Sequence, residues 1–295
     1  MLALAASFCT ATSSVCQRLG AQRLERNGLQ VRDFDIWLVF RLATQPIWML
    51  GFAAMIAAFV LQVSALRFGP LALVQPILAG ELVFVFGYLA VARGPRSGGW
   101  RGVGSRDWLA AAAMAAGIGV FLRAASPSGG QQHAPAGSWW LAGVATLGCV
   151  LVSVLLAGSA TKAGRRSSTW RAAWLGVAAG VAWGYVGAVI KELSSHVDGG
   201  LGAIFATWSV YVLMAAGAAA MLLTSHAMAA GPLAASQPGF TIFGPVAAIL
   251  LGVLMFGEHM RAIPSALAAE ALGLIVAASG AWALSRSDLI THPSP

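Results

Sequence analysis

Two carboxylates stand where charge is costly. Glu81 and Glu270 each interrupt an otherwise uncharged apolar run, and a carboxylate inside a bilayer costs about 2.5 kcal/mol or more on insertion scales. Such a group faces a cavity or a partner. The pair could bind a cation or exchange a proton at one central site, and both are the candidates if a metal ion is the ligand. The alternative is that each is protonated and hydrogen-bonded between helices. No pattern of a soluble enzyme accompanies them: the chain has no His-Glu-x-x-His, no serine elbow and no phosphate-cradling loop. No catalytic residue and no cofactor is therefore expected.

Three amides could join the carboxylates. Gln75 and Gln237 each precede a proline, Pro76 and Pro238, inside an apolar segment, and Gln62 lies in another. A proline six residues into a helix has no N–H to donate, so the carbonyl four residues back, Ala72 or Ala234, loses its donor. At 1.5 Å per residue that defect lies about 9 Å below the helix start. The bland reading is a packing kink. The functional one is a discontinuous helix whose amide and free carbonyl face a cavity.

The elements that must carry these residues follow from composition. Of 295 residues, 58% are hydrophobic and 9% charged, against about 25% charged in soluble domains. The expected class is an all-α polytopic membrane protein, with lipid and a small molecule or cation as partners and a homodimer compatible with it. A net charge of +8 does not point to nucleic acid, because the basic residues sit in short loops, where they set orientation. Cys9, Cys16 and Cys149 are odd in number and have no ligand spacing, so they read as small packing residues.

Nine spans are expected, at residues 2–19, 42–66, 68–92, 108–122, 138–160, 172–190, two within the uncharged run 201–257, and 262–284. Residues 36–40 are expected at the interface. The stretch 126–138, rich in Pro and Gly, reads as the least structured part and as the boundary between halves. Trp139, Trp140, Trp170 and Trp174 fit an interfacial belt, and Gly180 and Gly184 suit close helix contact. Alternate loops hold fourteen Lys and Arg against four, which predicts the N-terminus outside and the C-terminus in the cytoplasm. Glu81 then lies about 16 Å past Pro70 and Glu270 about 12 Å past residue 262, both near the midplane.

An internal repeat organises these spans. Gly69-Pro70-Leu71-Ala72-Leu73-Val74-Gln75-Pro76 returns as Gly231-Pro232-Leu233-Ala234-Ala235-Ser236-Gln237-Pro238, identical at six of eight positions. In each copy the Gly is expected to end one helix in a left-handed conformation and the first Pro to open the next. Spans one and six align, as do spans four and nine, with Gly117 falling on Gly273. The predicted order is a four-helix repeat (1–126), a linking helix (138–160), a second four-helix repeat (170–286) and a tail (287–295). A single linking span inverts the second set.

With these phrases and the run Leu250-Leu251-Gly252-Val253-Leu254-Met255-Phe256-Gly257-Glu258, the sequence resembles the drug/metabolite transporter superfamily, in particular its EamA-like and NIPA-like branches. The first half departs from the Gly-Glu helix ending, reading Ala92-Arg93-Gly94 at the matching place. The resemblance implies an inverted-repeat carrier in the cytoplasmic membrane that works by alternating access. Nine spans look more like the NIPA-like branch, which is associated with Mg²⁺. A proton-coupled exporter of drugs or metabolites is the alternative, and a non-transporting subunit that docks a partner or lipid is the second.

Overall fold

A computed structural model describes residues 1–26, 44–92, 104–159, 164–231, 233–261 and 263–287. Pro232, the proposed interfacial segment 36–40, most of the basic loop 93–106 and the tail beyond residue 287 lie outside them. The helices are α1 (Leu2–Arg26), α2 (Pro46–Phe68), α3 (Leu71–Ala79), α4 (Glu81–Ala92), α5 (Ser105–Ala125), α6 (Ala136–Ser159), α7 (Gly164–Ser194), α8 (Gly200–Ala206), α9 (Trp208–Ala230), α10 (Leu233–Pro238), α11 (Gly244–Phe256) and α12 (Pro264–Leu284). Strands β1 (Ser128–Gly129) and β2 (Glu258–His259) pair antiparallel.

Eight helical segments among the described residues are long and apolar enough to cross a membrane. This is the all-α polytopic architecture that composition predicts. The first predicted span is a helix but is not one of the eight, because its hydroxyl side chains and Arg18 dilute its apolar content. It lies along α2, with Gly20 against Trp48 and Gly51 against Cys16 and Gln17. Only an antiparallel hairpin makes both contacts.

Helix α7 is the hub. It packs on α6, α9, α10 and α11, and its span is more buried than any of the other seven. Glycines spaced by four make this possible: a Cβ at Gly176 would lie 3.0 Å from Ser236 Cα, and one at Gly184 2.8 Å from the Gly244 oxygen. Backbones meet there without intervening side chains. Helices α5 and α12 pack in the same way. Gly117 and Gly273 face one another, so a Cβ on Gly273 would stand 2.8 Å from the Gly117 oxygen. The two run antiparallel, since Arg261 N–H donates to Ala125 O at one end and Ser287 Oγ to Asp107 Oδ2 at the other.

The two proline phrases do not break alike. Helix α3 continues through Pro76 and gives way four residues later at Gly80, whose N–H turns back to the Ile77 and Leu78 carbonyls. In the second copy a π turn, Gly239–Phe243, follows Pro238 directly. A missing donor can be absorbed by tightening one turn or by widening it, and the chain does one of each. The glycines also differ from expectation. Gly69 is extended (φ −136°), as is Gly231 (φ 179°), and Pro70 precedes α3 as its cap instead of opening it. The Pro70 carbonyl accepts the N–H groups of Leu73 and Val74, so the first turn closes without a left-handed residue.

Candidate functional site

Glu81 opens α4 directly after the Gly80 turn. Its carboxylate takes no hydrogen bond from any described residue, and a negative charge there meets the positive end of the α4 dipole. Glu270 is buried on α12, one turn from Gly273, and its Oε1 has no partner. The interhelical hydrogen bond offered as its bland role is absent for that oxygen. Helices α4 and α12 touch, yet no bond joins the two carboxylates. Gln75 presses its amide onto Gly187 of α7, where a Cβ would lie 2.8 Å from Gln75 Cδ, and its Nε2 is buried without a partner. Ser7 Oγ on α1 and Trp139 Nε1 on α6 are two further such atoms. Gln62 on α2 and Gln237 on α10 are half-buried. Among the described residues, no three His, Cys, Asp or Glu gather as a metal site.

Among the described residues, the best-satisfied charges lie elsewhere. Glu258 follows α11, which ends on Gly257 in the left-handed conformation (φ 63°). That turn drives the Glu258 side chain into the protein, to the N-terminus of α3. Its Oε1 accepts the Leu71 N–H at 2.5 Å and its Oε2 the Ala72 N–H at 2.9 Å. Lys191, near the end of α7, donates to the same Oε1, and its ammonium sits 4.8 Å from the centroid of the Phe256 ring. Both side chains are at most 2% exposed. The carboxylate is thus held by a cation, by two backbone donors and by the positive end of a helix. Gly252 and Gly130 make room for it: a Cβ on either would come within 2.9 Å of the Glu258 side chain.

A belt of polar contacts surrounds this latch. Glu192 binds His133 Nδ1 through Oε1 and the Ala134 N–H through Oε2, both at 3.0 Å. Arg67 pairs with Asp198, and Gln132 Nε2 donates to the Arg67 carbonyl at 2.6 Å. The ribbon sets Ser128 opposite His259 and Gly129 opposite Glu258, and Gln131 N–H reaches Phe256 O at 2.7 Å. The stretch expected to be least structured is therefore a strap across this end. Its prolines and glycines serve the turns of the strap, Gly129 and Gly130 both having positive φ.

A protein of Corynebacterium glutamicum described as uncharacterized is 28% identical to this chain over 292 residues, covering 98% of the chain and 94% of the relative. No family model matches the chain, and no solved structure matches it. The similarity spans the latch, the strap and both proline phrases, and the relative's name carries no activity.

Two residues of this site escape a reading by composition. Lys191 closes an apolar span and so counts with the loop cations, whereas it is 1% exposed. Glu258 follows a span end in the same manner and is 3% exposed. The available signal was Gly-Glu at the end of an uncharged run, where the left-handed Gly redirects the chain. Trp139 lies in the first turn of α6, at the end of a span. It packs edge-on against Tyr185, Trp208 and Phe256, whereas Trp140, one residue on, is 80% exposed.

Proposed function

We propose that this chain is a secondary carrier of the cytoplasmic membrane, a member of the drug/metabolite transporter superfamily that moves a small solute or cation by alternating access. Helix α1 is the ninth crossing, and the order is four helices, one linking helix (α6), four helices. The contact of Gly117 with Gly273 supports an inverted repeat, because residues equivalent by repeat touch on antiparallel helices only where a two-fold axis passes between them. The C-terminus is cytoplasmic, and the latch closes the outer end.

One observation carries the reading: Gln75 Nε2, Glu270 Oε1 and Ser7 Oγ, with Trp139 Nε1, are buried polar atoms without partners among the described residues. Each such atom costs about 1–3 kcal/mol in a protein interior, and lipid offers it no water. A solute or water that enters during transport supplies the missing bonds. A fixed packing bundle gains nothing by leaving them open.

Proton coupling suits this arrangement better than Mg²⁺. Separated carboxylates can each carry a proton, whereas Mg²⁺ demands six oxygen ligands and would keep most of its waters between Glu81 and Glu270. The chain carries no enzymatic role in this reading. Reconstitution into proteoliposomes with a panel of solutes, including Mg²⁺, with and without a pH gradient, tests it. Flux that Glu81→Gln and Glu270→Gln abolish supports the proposal. Flux and pH dependence unchanged in both variants removes the carboxylates from the mechanism, and no flux for any solute favours a docking subunit.

A further inference from the structure

Outside the bundle, the latch-side end of α5 and the start of α12 line a groove of about 670 Å³ that contains none of the carboxylates, amides or latch residues discussed above. The volume falls in the roughly 300–1,000 Å³ range of ligand clefts. Its walls are small and apolar, from Ala116, Gly119 and Val120 on α5 to Ala266 and Ala269 on α12. Its mouth is cationic. Arg123 lies in the last turn of α5, the Arg261 N–H donates to Ala125 O at 3.0 Å, and both arginines line the groove.

The charge at that rim is unanswered. At this end of the molecule Lys191 and Arg67 have acid partners, whereas neither the Arg123 nor the Arg261 guanidinium bonds to any described residue. We propose that the groove binds an anionic glycerophospholipid, its phosphate on Arg123 and Arg261 and an acyl chain along the small residues below. A guanidinium fork matches phosphate oxygens. The apolar groove below selects a lipid over free phosphate. A second copy of the chain fits less well, because a two-fold interface through this groove brings four guanidiniums towards one another. The site stands independently of the transport reading.

Native mass spectrometry of the delipidated full chain, titrated with phosphatidylglycerol or phosphatidylcholine, tests the assignment. Wild type is expected to retain phosphatidylglycerol at least tenfold better. Arg123→Gln with Arg261→Gln abolishes that preference, and Arg123→Lys with Arg261→Lys restores part of it. Gly119→Leu fills the groove and lowers retention severalfold. Its Cβ meets nothing within 4 Å, so the fold is kept, as an unchanged elution profile and thermal midpoint confirm. A preference that survives both the Gln pair and Gly119→Leu overturns the proposal. So does displacement of the lipid by millimolar inorganic phosphate, or a dimer of the wild type that Gly119→Leu dissociates.

Discussion

Glu258 joins the two halves of the chain through two bonds from α3 and takes a third from Lys191 in its own half. Removing one partner of a buried ion pair strands the other charge, at a cost of about 3–5 kcal/mol. Lys191→Met is therefore expected to lower the thermal midpoint in detergent sharply, whereas Lys191→Met with Glu258→Gln regains most of the loss. A single variant as stable as wild type would show the pair to be incidental. Glu270 has the opposite balance, since its Oε1 is buried with nothing to bind. Glu270→Leu removes an unsatisfied oxygen worth about 1–3 kcal/mol, so stability should hold or rise while flux falls at least tenfold. Loss of both together would mark Glu270 as a structural residue.

At the scale of elements, close packing rests on particular glycines, and neighbours on one helix separate the effect cleanly. A Cβ at Gly117 would stand 2.8 Å from Ala277 Cα, while one at Gly119 meets nothing within 4 Å. Gly117→Ala must push α12 away from α5, an overpacking cost of about 1–3 kcal/mol. Gly119→Ala gains helix propensity of roughly 0.5–1 kcal/mol. Thermal unfolding of the two variants should move in opposite directions, and equal shifts would mean that α5 and α12 are not in backbone contact. The Gly-x-x-x-Gly spacing of α7 is plain from the chain, but its counterpart is not. Gly176 and Gly180 meet the second proline phrase and its π turn, which no local pattern on α7 specifies.

For the whole molecule, the strap, the latch and the Arg67–Asp198 pair all close one end. A carrier that alternates must open it. In a background without Cys9, Cys16 and Cys149, Ser128→Cys and His259→Cys place two thiols on directly opposed strand residues, where Cα separations of about 4.5–5.5 Å suit a disulfide. Oxidation is expected to arrest flux and reduction to restore it. Undiminished flux in the oxidised protein would show that this end stays shut throughout. Labelling of the single Ser128→Cys variant in intact cells by an impermeant thiol reagent reports its side of the membrane, and protection there would reverse the proposed orientation.

Eight of the nine expected apolar spans, and their helical state, were legible in the residues alone, because each depends on local composition and on a segment's length against the membrane. The same reasoning located Glu81, Glu270 and the Gln-Pro phrases. Only the assembled bundle decided that Lys191 and Glu258 meet at the start of α3, since partners so far apart in the chain are chosen by how helices pack. Packing likewise decided that one proline phrase ends in a tight turn at Gly80 and the other in a π turn. Each defect relaxes in whichever direction its neighbouring helix leaves room.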